Sequence, residues 1–393
     1  MSALGKKSIA FAALLAAALA LALFWIGRDR SPEPRAAPLS AIEILGARGN
    51  TAGYARADKP REFQFPADHG PHHEFQTEWW YWTGVLDGAS GRRFGYQLTF
   101  FRSALSPHAA PRTSAWAATN VYMAHFTVTD EKAQTFRAHE RAAREAVDLA
   151  GASAAPFRVW VLDWEARGPD GATAMPVHLR AAEGDLAIDL LLDEGKPPVL
   201  EGDHGLSQKG PEPGDASYYY SLTRMPTHGV LTSGGARYEV SGESWMDREF
   251  STGALGRDLV GWDWLALALS DGRELMFYRL RRADGSIDPL SAGSLIDAAG
   301  QAWHLAAADL TMTTLSQWQS ARSGATYPAS FRLSVPGANI DLDVKPMLLD
   351  QELDVSFRYW EGAVSAEGRS DSAVPRARGY VERTGYDRPS PSR

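Results

Sequence analysis

The chain has 393 residues, enough for two domains of ordinary size, and its hydrophobic content of 44% makes it globular rather than disordered. A net charge of −8 without a long basic run argues against nucleic acid as a partner. The absence of cysteine excludes a disulfide framework, a thiolate metal site, a cysteine nucleophile and a lipidated cysteine.

Lys6 and Lys7 precede an uncharged run from Ile9 to Ile26, closed by Arg28. Its length approaches the ~20 residues that span a bilayer, and no small-x-small cleavage site follows Ile26. Residues 1–27 therefore read as an uncleaved anchor helix that exports the rest, with cleavage in the alanine-rich part as the alternative. Residues 28–60 are rich in Pro, Ala and Arg and read as a linker.

Phe63–Gly84 (FQFPADHGPHHEFQTEWWYWTG) concentrates histidines, acids and aromatic rings. Gly70-Pro71 bars a helix, and Phe75–Thr83 has strand composition. Alternation puts Trp79 and Tyr81 on one face and Glu78, Trp80 and Trp82 on the other. If the second face looks inward, Glu78 is desolvated, its pKa rises and it becomes a proton donor; alternatively it pairs with an arginine from a neighbouring strand. Arg93–Phe101 and Asn120–Thr129 follow as strands, with His125 either a core residue or a catalyst. Ala138–Leu149 (AHERAAREAVDL) has strong helix formers and predicts a helix. Phe157–Glu165, Val177–Ala182, Leu186–Leu192 and Tyr218–Arg224 read as strands, and Val199–Asp215 as a loop.

A second block begins at residue 237. Tyr238–Phe250 sets Trp245, Asp247 and Glu249 against Met246, Arg248 and Phe250. Gly261–Ser270 sets Asp263 and its leucines against Trp262 and Trp264; an acid on a leucine face needs a partner or a raised pKa. Further strands are expected at Glu274–Arg281, Ser294–Ile296, Ala302–Leu310, Ser330–Val335, Ile340–Val344, Tyr359–Ser365 and Gly379–Arg383. The fold class is all-β: two consecutive β-barrels or sandwiches, residues 61–236 and 237–393.

His69, His72, His73 and Glu74 are suitable metal ligands, but their spacing matches no HExxH helix and adjacent histidines point apart in extended chain. No metal is assigned; a metal-dependent hydrolase remains an alternative. With no GxSxG elbow and no phosphate-binding glycine loop, no cofactor is expected. The aromatic strands point instead to a barrel cavity in which an acid protonates a double bond and the indoles stabilise the cation.

A string of motifs in order carries a family resemblance: Asp68-His69-Gly70, Thr77–Tyr81, Tyr218–Ser221, Trp245–Phe250 (WMDREF), Gly261–Trp264 (GWDW), Glu274–Met276, Tyr359–Gly362 (YWEG) and Gly379–Glu382. Across residues 62–386 the chain resembles the family that joins AttH-type secreted lipocalin-like proteins with the carotenoid 1,2-hydratases. Arg248 and Phe250 stand where the hydratases have a histidine and a tryptophan, so the match is closer to the AttH branch. The resemblance implies two lipocalin-like domains, a location on the periplasmic side of the inner membrane and a hydrophobic ligand, a polyene, terpenoid or lipid. It also implies hydro-lyase chemistry or, alternatively, a non-catalytic accessory role beside an ABC-transporter permease. The expected catalytic residues are Glu78, Asp247, Asp263, His69 and His125. The expected ligand-binding residues are Trp80, Trp82, Tyr219, Arg248, Trp262, Trp264 and Tyr278.

Overall fold

The computed structural model describes residues 51–108, 113–171, 173–256, 258–369 and 372–386. The expected anchor and most of the linker lie outside them. The described chain is all-β, and its strands form two curled, barrel-like antiparallel sheets.

The first sheet contains β1 (Thr77–Gly88), β2 (Arg93–Ala104), β3 (Asn120–Asp130), β4 (Thr135–Arg144), β5 (Ala150–Ala154), β6 (Phe157–Val161), β7 (Trp164–Arg167), β8 (Val177–Glu183), β9 (Leu186–Leu192), β10 (Val199–Leu200), β11 (Leu206–Gln208), β12 (Ala216–Ser233) and β13 (Ala236–Ser251). The second contains β14 (Leu259–Leu269), β15 (Glu274–Arg282), β16 (Ala292–Ile296), β17 (Ala302–Ala306), β18 (Thr311–Gln319), β19 (Thr326–Val335), β20 (Ile340–Pro346), β21 (Glu352–Asp354), β22 (Arg358–Gly368) and β23 (Arg376–Thr384). In each sheet the first strand pairs with the last, β1 with β13 and β14 with β23. The sheets therefore divide between Ser251 and Leu259, not at residue 237, because β13 is held on both sides by β1 and β12.

The helix expected over Ala138–Leu149 is absent; most of it is strand β4, paired to β3 with Glu140 opposite His125. Helix propensity is worth only tenths of a kcal/mol per residue and yields to cross-strand partners. Here those partners are His125 for Glu140, and Asp163 and Glu183 for Arg141, whose guanidinium also lies over Trp164. The expected loop 199–215 contains the short strands β10 and β11. The end of the expected linker packs on the first sheet, with Ala57 buried and Tyr54 Oη donating to the Ala104 carbonyl at 3.1 Å.

Each sheet curls around its own apolar core, Trp80, Trp82, Phe100 and Trp164 among the first and Leu265, Leu267, Phe331 and Leu333 among the second. A third cluster fills the seam between them, built from Tyr81, Tyr219, Trp245, Trp264, Tyr278 and Tyr380. The sheets meet closely at Gly95, where a Cβ would lie 2.5 Å from Ala363 Cβ, so only glycine fits there. Polar bonds also cross it, including Thr129 Oγ1 to Gln351 Oε1 at 2.7 Å and Lys196 Nζ to Glu274 Oε2 at 2.6 Å.

Candidate functional site

Strand alternation decides which side chains reach the seam. On β1, Trp80 and Trp82 enter the first core while Trp79 and Tyr81 face the second sheet. On β13, Asp247 and Glu249 face the seam while Met246 and Arg248 turn inward. On β14, Asp263 and Leu265 turn into the second core while Trp262 and Trp264 face the seam. These faces line a chamber of about 80 Å³, walled by Trp79, Tyr81, Phe101, Tyr219, Trp262, Trp264 and Tyr278, with Lys209, Asp247, Glu249 and Glu382 as its charged groups.

Asp247 is 5% exposed. Its Oδ1 accepts from Ser221 Oγ at 2.7 Å and Trp245 Nε1 at 2.6 Å, and its Oδ2 from Tyr219 Oη at 2.7 Å. Trp264 Nε1 in turn donates to Tyr219 Oη at 3.2 Å, so the second sheet orients the tyrosine. Burial pushes the Asp247 pKa up to about 7 against these donors, and the Glu249 charge adds to the rise.

Glu361 and Glu382 are directly opposed on β22 and β23. Tyr81 Oη donates to Glu361 Oε1 at 2.7 Å, and Trp262 Nε1 to Glu382 Oε1 at 2.5 Å. Burial and then the Glu382 charge hold Glu361 well above the usual carboxylate range; burial pushes Glu382 up to about 7. Behind them Glu201, held by Ser294 at 2.6 Å and Ser221 at 3.1 Å, is pushed up to about 8 by burial. Lys209 instead pairs with Glu249 and lies over the Tyr219 and Tyr278 rings. The chamber thus combines apolar walls with carboxyl groups that carry protons near neutrality.

Of the expected site residues, Asp247, Tyr219, Trp262, Trp264 and Tyr278 come together in this chamber; the others do not. Glu78 is fully buried but lies in the first core, paired with Arg102 and Arg248 and accepting from the His72 amide at 3.0 Å. Burial alone would raise its pKa, but Arg248 and Arg102 outweigh it and hold the carboxyl well below its ordinary range. It is an ionised anchor, not a proton donor. Asp263 is corrected for the same reason: burial opposes ionisation, but Arg281, Arg383 and Arg279 hold its pKa down, with Arg279 Nη2 at 2.6 Å and Tyr386 Oη donating at 2.8 Å. Trp80 and Trp82 fill the core, and Arg248 stacks on Trp80 at 3.9 Å from its centroid.

His69 bonds Tyr220 Oη at 2.7 Å, and burial pushes its pKa down to about 4. His125 bonds Glu140 at 3.0 Å and, across the seam, Tyr359 Oη at 2.7 Å; burial lowers its pKa, and it does not line the chamber. His72 stacks on Phe250 with ring centroids 3.6 Å apart, while His73 and Glu74 are exposed. The metal alternative built on these residues therefore lacks a convergent ligand set, and no group of three ligands converges elsewhere among the described residues.

Sequence reasoning missed Trp79, Tyr81, Lys209, Glu201, Glu361 and Glu382. Glu361 and Glu382 lie inside the YWEG and Gly379–Glu382 motifs that carried the resemblance. A glutamate inside an apolar strand was the available signal, but nothing in one strand shows that another acid lies opposite.

The AttH-like family model matches residues 56–386. No curated protein matches the sequence. A crystal structure of a candidate AttH from Nitrosomonas europaea is 32% identical and superposes with a TM-score of 0.74, over 84% of this chain and 99% of that one. Kievitone hydratase from Nectria haematococca shares the fold at 14% identity and a TM-score of 0.65, over 88% of this chain and 98% of the other. A protein called CghA is similar at 12% identity and a TM-score of 0.54, over 89% and 98%.

Proposed function

The chain belongs to the AttH-like family, and from that premise we propose that it binds the unsaturated end of an apolar ligand in the seam chamber and adds water across the double bond. The observation that carries this reading is the pair Asp247 and Glu382. Both line one aromatic chamber, and both have a pKa of about 7, so each is present with and without its proton at neutral pH.

One carboxyl gives its proton to an alkene carbon, forming a C–H bond and a carbocation on the neighbouring carbon. The ring faces of Trp79 and Trp264 favour positive charge beside them. A water oxygen bonds the cation, and the second carboxylate takes the released proton, so the ligand gains the elements of water and the protein ends with the same proton count. Kievitone hydratase is by its name a hydratase, and at 14% identity it speaks for the fold alone. We propose also that the chain is exported, with Ile9–Ile26 as its anchor.

The test is incubation with an acyclic terpenoid in heavy-oxygen water. Label in a hydrated product, lost in Asp247→Asn and in Glu382→Gln, is the expected result. No label at any pH removes the hydratase reading. Extraction of an unchanged lipophilic ligand would then favour a carrier, an accessory of a transporter permease.

A further inference from the structure

We propose that Trp245 is a length-determining wall: it separates the chamber from a second, larger compartment of the same seam and so limits how much of a ligand enters. This rests on the chamber being the ligand site. A cleft of about 1040 Å³ lies in the seam, against about 80 Å³ for the chamber.

The two compartments share strands and change over at one level. On β1, Tyr81 lines the chamber and Thr83 the cleft; on β13, Asp247 and then Trp245; on β14, Trp264 and then Ala266. These positions are register neighbours, Tyr81 opposite Asp247 and Thr83 opposite Trp245. Trp245 is a large side chain at the change of level. It lines the cleft, yet its Nε1–H donates to Asp247 Oδ1 in the chamber at 2.6 Å. That bond to a buried, otherwise costly carboxyl fixes the indole across the boundary, where it is 7% exposed.

The sizes give the consequence. A cavity of about 150 Å³ is what takes up a benzene. The chamber is about half of that, so it accepts a compact end such as the dimethylvinyl terminus of a prenyl chain. The following carbons stay outside while the wall stands. Removing the indole would join the chamber to the cleft and let further methylenes leave water, each adding to affinity.

Calorimetric titration of the full chain with prenol, geraniol and farnesol tests this. Comparing variant with wild type cancels any partition of the alcohols into the medium that carries the amino-terminal segment. In Trp245→Ala, farnesol is expected to bind about tenfold tighter than in wild type or better, with prenol changed about threefold or less. Trp245→Phe keeps a ring at the wall without the donor to Asp247, and its ratio should stay near one for all three alcohols. Trp245→Leu replaces alanine should the latter not fold. A variant-to-wild-type ratio independent of chain length, or the same gain in Trp245→Phe, overturns the wall and leaves the chamber as a binding site. Failure of every protein to bind any of the alcohols overturns both.

Discussion

Two kinds of buried acid stand on neighbouring strands of this molecule. Glu78 and Asp263 occupy matching places, each on the first strand of its sheet with its side chain toward the core. Each sits between arginines: Glu78 between Arg102 and Arg248, Asp263 opposite both Arg279 and Arg383. Asp247, Glu361, Glu382 and Glu201 face the seam, where tyrosine, serine and tryptophan donors meet them and, among the described residues, no arginine pairs with them. Burial disfavours the charge in both places. The first pair stays ionised because full opposite charges offset desolvation; in the seam neutral donors do not, and protons are retained. A buried carboxylate is therefore structural or chemical according to its neighbours, not its depth.

Breaking the arginine side of this comparison should have the largest effect. Arg248→Met leaves Glu78 with one of its two cations in a fully buried site and is expected to cost about 3–5 kcal/mol in denaturant unfolding. A loss below about 1 kcal/mol would mean that Arg102 suffices.

The pH dependence sharpens it next. Asp247, Glu382 and Glu201 titrate near 7, 7 and 8 in the fold, against 3.8 for an aspartate and 4.5 for a glutamate outside it. Between those values the native state holds more protons than the unfolded chain, so stability falls as pH rises from about 4 to about 8. Glu78 and Asp263 act oppositely: their contribution is complete above the ordinary carboxylate range and is lost as pH falls through their lowered folded values. Thermal unfolding across pH checks both limbs, and the Asp247→Asn, Glu382→Gln double variant should flatten the upper one.

The smallest effect is expected for Asp247→Asn at neutral pH. An amide keeps an acceptor for the neighbouring donors without the cost of a buried charge, so stability should change by about 1 kcal/mol or less. A larger loss would place Asp247 with the anchoring acids.

Much of the fold was legible because period-two alternation and turn residues are local. Phe75–Thr83, Arg93–Phe101, Asn120–Thr129 and Gly261–Ser270 all became strands, and residues grouped on one face stayed grouped. The helix expected at Ala138–Leu149 failed because cross-strand partners of β4 lie far away in sequence. The site was legible by halves. Pairing Trp262 with Trp264 and opposing them to Asp263 followed from alternation alone. Choosing which face lines the chamber did not, and Glu78, Trp80 and Trp82 were assigned to a cavity that is in fact solid core.

The sequence by itself thus determined strand content, family and the company each side chain keeps along its own strand, since those depend on neighbours one or two residues away. The tertiary structure alone decided which acids meet arginines and which meet neutral donors. That outcome depends on register between strands more than 100 residues apart, as with Asp263 and Arg383, and on two sheets closing over one seam, as with Tyr81 and Glu361. Charge in a low-dielectric interior is set by what lies within a few ångströms in space, and no spacing along the chain encodes that.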